Sequence, residues 1–398
     1  MNILMLSDVY FPRINGVSTS IRTFAQGLAR MGHSVTLVAP DYGIDSAQQA
    51  REDGNEGFEV IRLPSRVIFF DPEDRLIRPR DLARAEASLR EREWDVIHIH
   101  TPFRAHSLGV RLARHGGWST VETYHTYFEE YVGHYLPWLP SALTRLLARR
   151  ASRYLCHGVD ELIVPSRQMV DVLDRYGVTT PSVVIPTGID LAQFSGGDGA
   201  RFRAAHGIDP ERPTLVTVSR LSLEKNIGFL LRVVRSLIAE FPGLLFLIAG
   251  EGPDEPRLRR LVQELGLQEH VRFFGNLDRR TTLLDAYRAG DAFVFASPTE
   301  TQGLVLIEAM ALGVPIVSTA VMGTATVLRE ARSALIAEED VDDFSQHVAR
   351  LLHSPQLRAQ LAAAGPEDAV AWSSDGMARR VEDLYARLAT RRELAPAI

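Results

Sequence analysis

Two carboxylates and two cations carry the chemistry this sequence can do. Glu300 and Glu308 lie in the run Pro298-Thr299-Glu300-Thr301-Gln302-Gly303-Leu304-Val305-Leu306-Ile307-Glu308. An apolar segment at 292–295 precedes the run, and the pattern turns helical near Gly303. The first N–H groups of a helix have no partner within it and the dipole is positive there, so a phosphate docks well. Glu300 precedes the helix and can face a ligand from the loop. Glu308 lies on the helix, where its reach suits hydroxyl groups such as a ribose diol. The bland reading makes Glu300 a capping residue and Glu308 a solvated helix residue. That reading weakens because 304–312 offers little other polarity.

The chain has 44 Lys and Arg residues, and Lys225 is the single lysine among them. A surface lysine can survive by chance. A site that needs a compact ammonium, which a planar guanidinium replaces poorly, is the sharper reading. Lys225 and Arg220 follow the apolar strand pattern at 213–218, and ligands of open α/β sheets bind outside the carboxyl ends of strands. Two cations there suit a diphosphate.

Weaker signals lie nearer the N-terminus. Gly16, in Asn15-Gly16-Val17, links the first strand pattern to its helix and lets a phosphate or sugar approach the backbone, although most such glycines only serve a turn. Neither this turn nor Gly250-Glu251-Gly252-Pro253 is a G-x-G-x-x-G motif, which argues against a nicotinamide or flavin enzyme. His125 ends the strand pattern 119–124 in a stretch dense in aromatics and histidines, and its loop position favours ligand contact. His98 and His100 are expected to pack, since no spaced His/Asp/Glu set supports a metal. The stretch 136–154 contains Trp138 and a helical face of Leu143, Leu146, Leu147, Ala151 and Tyr154. Arg145, Arg149, Arg150 and Arg153 make that helix basic. Such a helix can lie on anionic lipid. Without context, packing on its own sheet is the preferred reading.

Positioning these residues needs alternating strands and helices. Strand patterns at 3–6, 35–39, 60–63, 95–99, 119–124, 161–164 and 183–185 alternate with helical spacing such as Val17, Ile21, Phe24, Leu28 and Met31. A glycine-rich break runs from 186 to 199, and strand patterns resume at 215–218, 244–248, 271–274, 292–295, 315–318 and 334–336. This is the rhythm of two doubly wound α/β domains. Val381, Leu384, Tyr385 and Leu388 mark an amphipathic helix at the end. A chain of 398 residues exceeds one typical core. The net charge of −6 gives no global basic field for nucleic acid. The lone Cys156 excludes an internal disulfide and cysteine-cluster metal sites. No signal peptide or membrane-spanning stretch is evident.

The residues together resemble glycosyltransferase family 4, retaining transferases of the GT-B fold, over nearly the whole chain. The Glu300-x7-Glu308 pair, Arg220 with Lys225, Gly16 in its Asn-Gly-Val turn and Pro186-Thr187-Gly188-Ile189-Asp190 fall in family order. The resemblance implies an α/β fold of two Rossmann-like domains facing across a cleft. Residues 1–188 would bind the acceptor, 189–370 the nucleotide-sugar, and 371–398 would cross back to the first domain. It further implies that Arg220 and Lys225 hold the donor diphosphate, Glu308 the ribose and Glu300 the sugar hydroxyls. His125 would lie near the sugar, the backbone of Gly303, Leu304 and Val305 would meet sugar and phosphates, and Phe274 and Gly275 would lie near the base. Gln302 replaces a Phe common in the family, and the Thr-Glu-Thr-Gln-Gly form looks like that of bacterial diacylglycerol glycosyltransferases. Related mannosyltransferases share much of the frame.

The expectation is a retaining, metal-independent hexosyltransferase without a cofactor. It would move sugar from a UDP-hexose, or alternatively GDP-mannose, to a lipid or glycan hydroxyl such as that of diacylglycerol. Its expected place is the cytoplasm, with peripheral attachment to an anionic membrane surface as an option. A sugar-nucleotide epimerase and a non-catalytic nucleotide-sugar-binding protein are the alternatives.

Overall fold

A computed structural model gives the fold, and it describes residues 1–43, 49, 51, 53–68, 71–125 and 141–394. The chain divides into two compact units, Met1–Gly188 with Ser374–Ile398, and Ile189–Ser373.

Unit 1 runs β1 Asn2–Leu6, α1 Gly16–Arg30, β2 Ser34–Pro40, β3 Glu59–Leu63, β4 Ser65–Ile68, β5 Asp71–Ile77 and α2 Pro79–Arg90. It continues with β6 Val96–Ile99, α3 Arg104–Gly116, β7 Ser119–Thr123, α4 Ser141–Cys156, β8 Glu161–Val164, α5 Arg167–Tyr176 and β9 Ser182–Val184. Its main sheet is parallel, in the order β3-β2-β1-β6-β7-β8-β9. Strands covered on both faces must be apolar throughout, and β1 and β6 are buried nearly end to end. The antiparallel hairpin β4-β5 is an insertion that the apolar rhythm does not announce, because charged residues fill β5.

Unit 2 runs α6 Gly199–Ala205, β10 Thr214–Val218, α7 Ile227–Leu237, β11 Leu245–Ala249, α8 Glu255–Glu264, β12 Val271–Phe273 and α9 Thr282–Ala289. Then come β13 Ala292–Phe295, α10 Leu304–Ala311, β14 Ile316–Ser318, α11 Gly323–Leu328, β15 Ala334–Ile336, α12 Val341–His353 and α13 Pro355–Val370. The sheet order is β12-β11-β10-β13-β14-β15, all parallel. Each sheet thus has a point where strand order reverses, between β1 and β6 and between β10 and β13. Crevices form at the carboxyl ends of strands there.

The last helix, α14 Ser374–Leu394, belongs to unit 1. Its stripe of Val381, Leu384, Tyr385 and Leu388 is buried. Burying such a side chain contributes roughly 1.5–3 kcal/mol. Ion pairs from Arg387 to Glu161 and Arg30 to Asp375 sit at its edges.

One expectation needs correction. Helix α4 does not pack through the leucine face read from spacing. Ala148, Ser152 and Cys156 are buried instead, and Leu146, Leu147 and Tyr154 are exposed. The side chain of Leu143 and all of 136–140, including Trp138, lie outside the described residues. Small residues spaced four apart form the inward stripe because they let the helix sit close to its unit. Burial pushes the Cys156 thiol up to about 12, which makes it an inert core residue. Among the described residues no helix is long and apolar enough to cross a membrane.

Candidate active site

In unit 2 the loops after β10 and β13 flank the reversal point and are tied together. Lys225 closes a single 3-10 turn, Leu223–Lys225, and Asn226 ends it in the left-handed region at φ 54°. The Asn226 side chain donates to the carbonyl of Ala296 at 3.3 Å and to Glu339 at 2.8 Å. Ser297 Oγ donates to the carbonyl of Glu224 at 2.9 Å. This places Lys225 Nζ in an ion pair with Glu300 Oε1. Both side chains are about four-fifths covered, with 20% and 18% exposure. Arg220 is exposed on the same loop.

The Glu300 loop is held from below. The Glu300 carbonyl accepts from Gly323 N at 2.7 Å, and a Cβ on Gly323 would stand 2.1 Å from the backbone of Thr301. Gln302 is buried. Gly303 then adopts φ 85° and opens α10. No side chain caps this helix, so Glu300 is not its capping residue. The first-turn N–H groups at Leu304 and Val305 therefore remain available to an anion.

Glu308 is buried, which overturns the solvated alternative. Arg279 Nη2 donates to one carboxylate oxygen at 2.5 Å and Tyr287 Oη to the other at 2.7 Å. Burial and the Glu308 charge hold the Tyr287 phenol well above its ordinary range. Each carboxylate oxygen keeps a lone pair for a further donor. Sequence reading missed Arg279 and Tyr287. Arg279 carried a signal, since it follows β12 on the ligand edge of the sheet. Tyr287 carried none, because an aromatic in a helical pattern resembles any core residue.

Phe274 and Gly275 follow β12. The Phe274 ring packs against Phe202 and His206, with centroids 5.1 and 4.8 Å away, so its side chain serves the core. Gly275 has φ 64°, and its carbonyl accepts from Gly250 N at 2.7 Å. Gly250, at φ 126°, has a steric reason to be glycine: a Cβ there would meet the Ser219 carbonyl at 1.9 Å.

In unit 1, Asn15 caps α1 by accepting from Ser18 N at 2.8 Å. Gly16 begins the helix with no left-handed φ, and a Cβ on it would meet nothing within 4 Å. Neither backbone conformation nor packing demands glycine there. His125 follows β7, and its Nε2 lies 3.4 Å from Nδ1 of His100. The His98 ring lies against His100, tilted by 35° with centroids 3.9 Å apart, and bonds Tyr385 Oη and Thr123 Oγ1, both at 2.6 Å. His98 and His100 are therefore packing residues, as expected, but they also support His125. Burial depresses His98 to about 3 and His125 to about 4, so both are neutral near pH 7. A neutral His125 can hydrogen-bond a hydroxyl. With a pKa so far below 7 it is poorly matched to general-base work.

Asp8, after β1, is another residue the sequence reading did not single out. Its Oδ2 accepts from Thr101 Oγ1 at 2.8 Å and Ala105 N at 3.0 Å, while Oδ1 is buried with no hydrogen-bond partner among the described residues. Burial raises its pKa to about 6. Among the described residues no group of three or more His, Cys, Asp or Glu could hold a metal ion. The one Asp-x-Asp spacing is a helix start, since Asp340 accepts from Asp342 N and Asp343 N, both at 3.0 Å, and caps α12.

The sequence matches the family described as Glycosyltransferase Family 4 over residues 14–193 and Glycosyl transferases group 1 over residues 198–368. It is 35% identical over 327 residues to the alpha-monoglucosyldiacylglycerol synthase of Streptococcus pneumoniae, covering 80% of this chain and 71% of that protein. The chain belongs to glycosyltransferase family 4. The GDP-mannose-dependent alpha-(1-6)-phosphatidylinositol monomannoside mannosyltransferase of Mycolicibacterium smegmatis is 26% identical to this transferase, over 91% of this chain and 92% of the other. The sucrose-phosphate synthase structure from Thermosynechococcus elongatus superposes with a TM-score of 0.79 at 22% identity, over 98% of this chain and 100% of that one. The transferase thus has the GT-B fold of two Rossmann-like domains. Neither an epimerase nor a non-catalytic binding protein is favoured by these relatives.

Proposed function

We propose that the transferase moves a hexose, with retention of the α configuration, from UDP-hexose to a hydroxyl of a membrane lipid, diacylglycerol foremost. The observation that carries the reading is the Lys225–Glu300 pair at the reversal point of unit 2, beside the uncapped start of α10. A cation and a carboxylate that meet there suit the junction of a diphosphate and a sugar. The lipid acceptor is supported by relatives whose names specify diacylglycerol and phosphatidylinositol monomannoside. The higher identity to the glucosyl enzyme favours glucose, with GDP-mannose as the alternative donor.

Unit 2 is the donor half in this reading. The diphosphate takes Lys225, Arg220 and the N–H groups of Gly303, Leu304 and Val305. The sugar hydroxyls donate to Glu300. The ribose diol donates to the remaining lone pairs of Glu308, with Arg279 and Tyr287 keeping the carboxylate in place. The backbone at Phe274 and Gly275 meets the base, since the Phe274 ring is committed to the core. From unit 1, the acceptor half, neutral His125 bonds a sugar hydroxyl and the open backbone at Gly16 meets a phosphate.

The acceptor oxygen attacks C1 on the face from which the diphosphate leaves. The C1–oxygen bond of the donor breaks, the new C1–oxygen bond forms, and the acceptor proton passes to the departing phosphate oxygen. Lys225, Arg220 and the α10 N-terminus stabilise the charge that grows there, at typically about 2.7–4 kcal/mol per well-placed donor. No divalent ion is required. The exposed leucines of α4 hold the enzyme peripherally on the cytoplasmic face of the membrane.

Incubating the protein with labelled UDP-glucose, UDP-galactose and GDP-mannose, and with diacylglycerol or a soluble glycan, tests this. Transfer to the lipid from a UDP-sugar, unchanged by EDTA, is expected. Loss of turnover with chelator, restored by magnesium or manganese, would contradict the metal-free part. Transfer to the glycan alone would contradict the lipid acceptor.

A further inference from the structure

Polar rings stand in a row inside unit 1. Tyr385, on the buried stripe of α14, bonds His98 on β6. The His98 ring lies against His100, and His100 Nδ1 lies 3.4 Å from His125 Nε2. Tyr385, His98 and His100 are buried, whereas His125 is partly exposed just past the carboxyl end of β7.

Packing explains the rings but not their polar atoms. Val381, Leu384 and Leu388 dock α14 without any hydroxyl. Phenylalanine at 385 would bury the same ring with no polar group to desolvate. Apolar side chains at 98 and 100 would likewise suit a strand covered on both faces. Instead, His100 Nε2 is buried with no hydrogen-bond partner among the described residues. A purely structural position has no reason to carry that cost.

Burial keeps all of these groups neutral near pH 7, since it depresses the three histidines and raises the Tyr385 phenol. Each neutral imidazole has one N–H and one bare nitrogen, and the bonds available decide which is which. A phenol is a better donor and a poorer acceptor than an aliphatic hydroxyl. Tyr385 Oη therefore donates to His98 Nδ1, and His98 Nε2–H donates to Thr123 Oγ1, each at 2.6 Å. With both nitrogens bonded, the His98 ring is a fixed support for His100.

One proton lies between His100 and His125. If His125 Nε2 supplied it, His100 would carry its own proton on the orphaned Nε2, a buried N–H with nothing to bond. If His100 Nδ1 supplies it, the orphan is only a bare lone pair. Buried donors without partners are the rarer of the two. His100 Nδ1 is thus the donor, His125 Nε2 accepts, and the His125 proton sits on Nδ1. A free neutral histidine favours the opposite form, with the proton on Nε2, so the contact with His100 reverses the ordinary preference.

We propose that Tyr385, His98 and His100 are positioning residues for transfer, which hold His125 with its proton on Nδ1 so that it donates a hydrogen bond to a sugar oxygen. The proposal rests on the reading of His125 as a sugar contact. It gives α14 a part in the chemistry through one hydroxyl, besides closing the core of unit 1.

The test reads the proton itself. In the full chain carrying isotope-labelled histidine, long-range proton–nitrogen NMR spectra distinguish protonated from bare ring nitrogens, and His125→Gln identifies the His125 signals. Wild type near pH 7 should show Nδ1 of His125 protonated and Nε2 bare. His100→Phe, which keeps a ring in place, should return His125 to the Nε2–H form, and Tyr385→Phe should give a mixture of the two. With UDP-glucose and diacylglycerol, Tyr385→Phe should lower kcat/KM about tenfold and leave UDP affinity unchanged, since UDP lacks the hexose. A wild-type His125 with its proton on Nε2 would overturn the proposal. So would an unchanged His125 signal in either variant, or an unchanged kcat/KM in Tyr385→Phe. Absence of transfer by wild type would instead sink the donor and acceptor reading, and the spectra would still decide where the His125 proton sits.

Discussion

Lys225→Ala is expected to lower kcat by about a hundredfold to a thousandfold and to weaken UDP binding as well. The side chain removed is the one lysine of the chain, and the loops after β10 and β13 are bonded to each other around it. In the free protein its ammonium is matched by Glu300. The donor would bring a second anion to the same point, so the cation is shared between diphosphate and carboxylate as the bond to C1 breaks. Alanine leaves the leaving group without that charge and leaves Glu300 facing it as a repelling neighbour. Lys225→Arg should also be poorly tolerated, because a planar fork needs more room than an ammonium at a spot already four-fifths covered. Steady-state kinetics and a UDP titration of both variants decide this. Wild-type kinetics in the alanine variant would remove Lys225 from the site.

Glu308→Gln is expected to lower kcat/KM by about tenfold to a hundredfold, mostly through KM, since hydrogen bonds to a charged acceptor contribute roughly 1.5–3 kcal/mol. In the proposed site the ribose contacts would be the same in ground and transition states, and such uniform binding acts on KM. Glutamine keeps an acceptor for Tyr287 but gives up the charge that holds Arg279 at 2.5 Å. An unchanged KM for donor would mean that Glu308 only braces Arg279 and Tyr287. Saturation kinetics with the donor varied is the check.

The reach of sequence reading differs between these residues for physical reasons. Apolar strands of four or five residues between helical patterns expose both parallel sheets, because a strand covered on two faces has nowhere to hide polar residues. The ligand edge follows, since Lys225, Glu300, Glu308 and His125 each sit at or beyond a strand end. The Lys225–Glu300 contact is not legible, because it depends on two loops 75 positions apart closing through Asn226 and Ser297. Nor is the setting of Glu308, whose partners come from a loop and a neighbouring helix. Helix α4 misleads in the opposite way. Its leucines look like the packing face, but Ala148, Ser152 and Cys156 allow closer approach and win the inward position. The hairpin β4-β5 is hidden because its charged residues give no apolar alternation.

The anomeric configuration of the lipid product tests the central claim most directly. The purified transferase would be incubated with UDP-glucose and diacylglycerol, and the fresh glycolipid examined by proton NMR. Front-face transfer, with Lys225 and Arg220 on the leaving diphosphate, predicts a glucosyl diacylglycerol whose anomeric proton shows the small coupling of an α linkage. A large coupling, the mark of a β linkage formed with inversion, would contradict it.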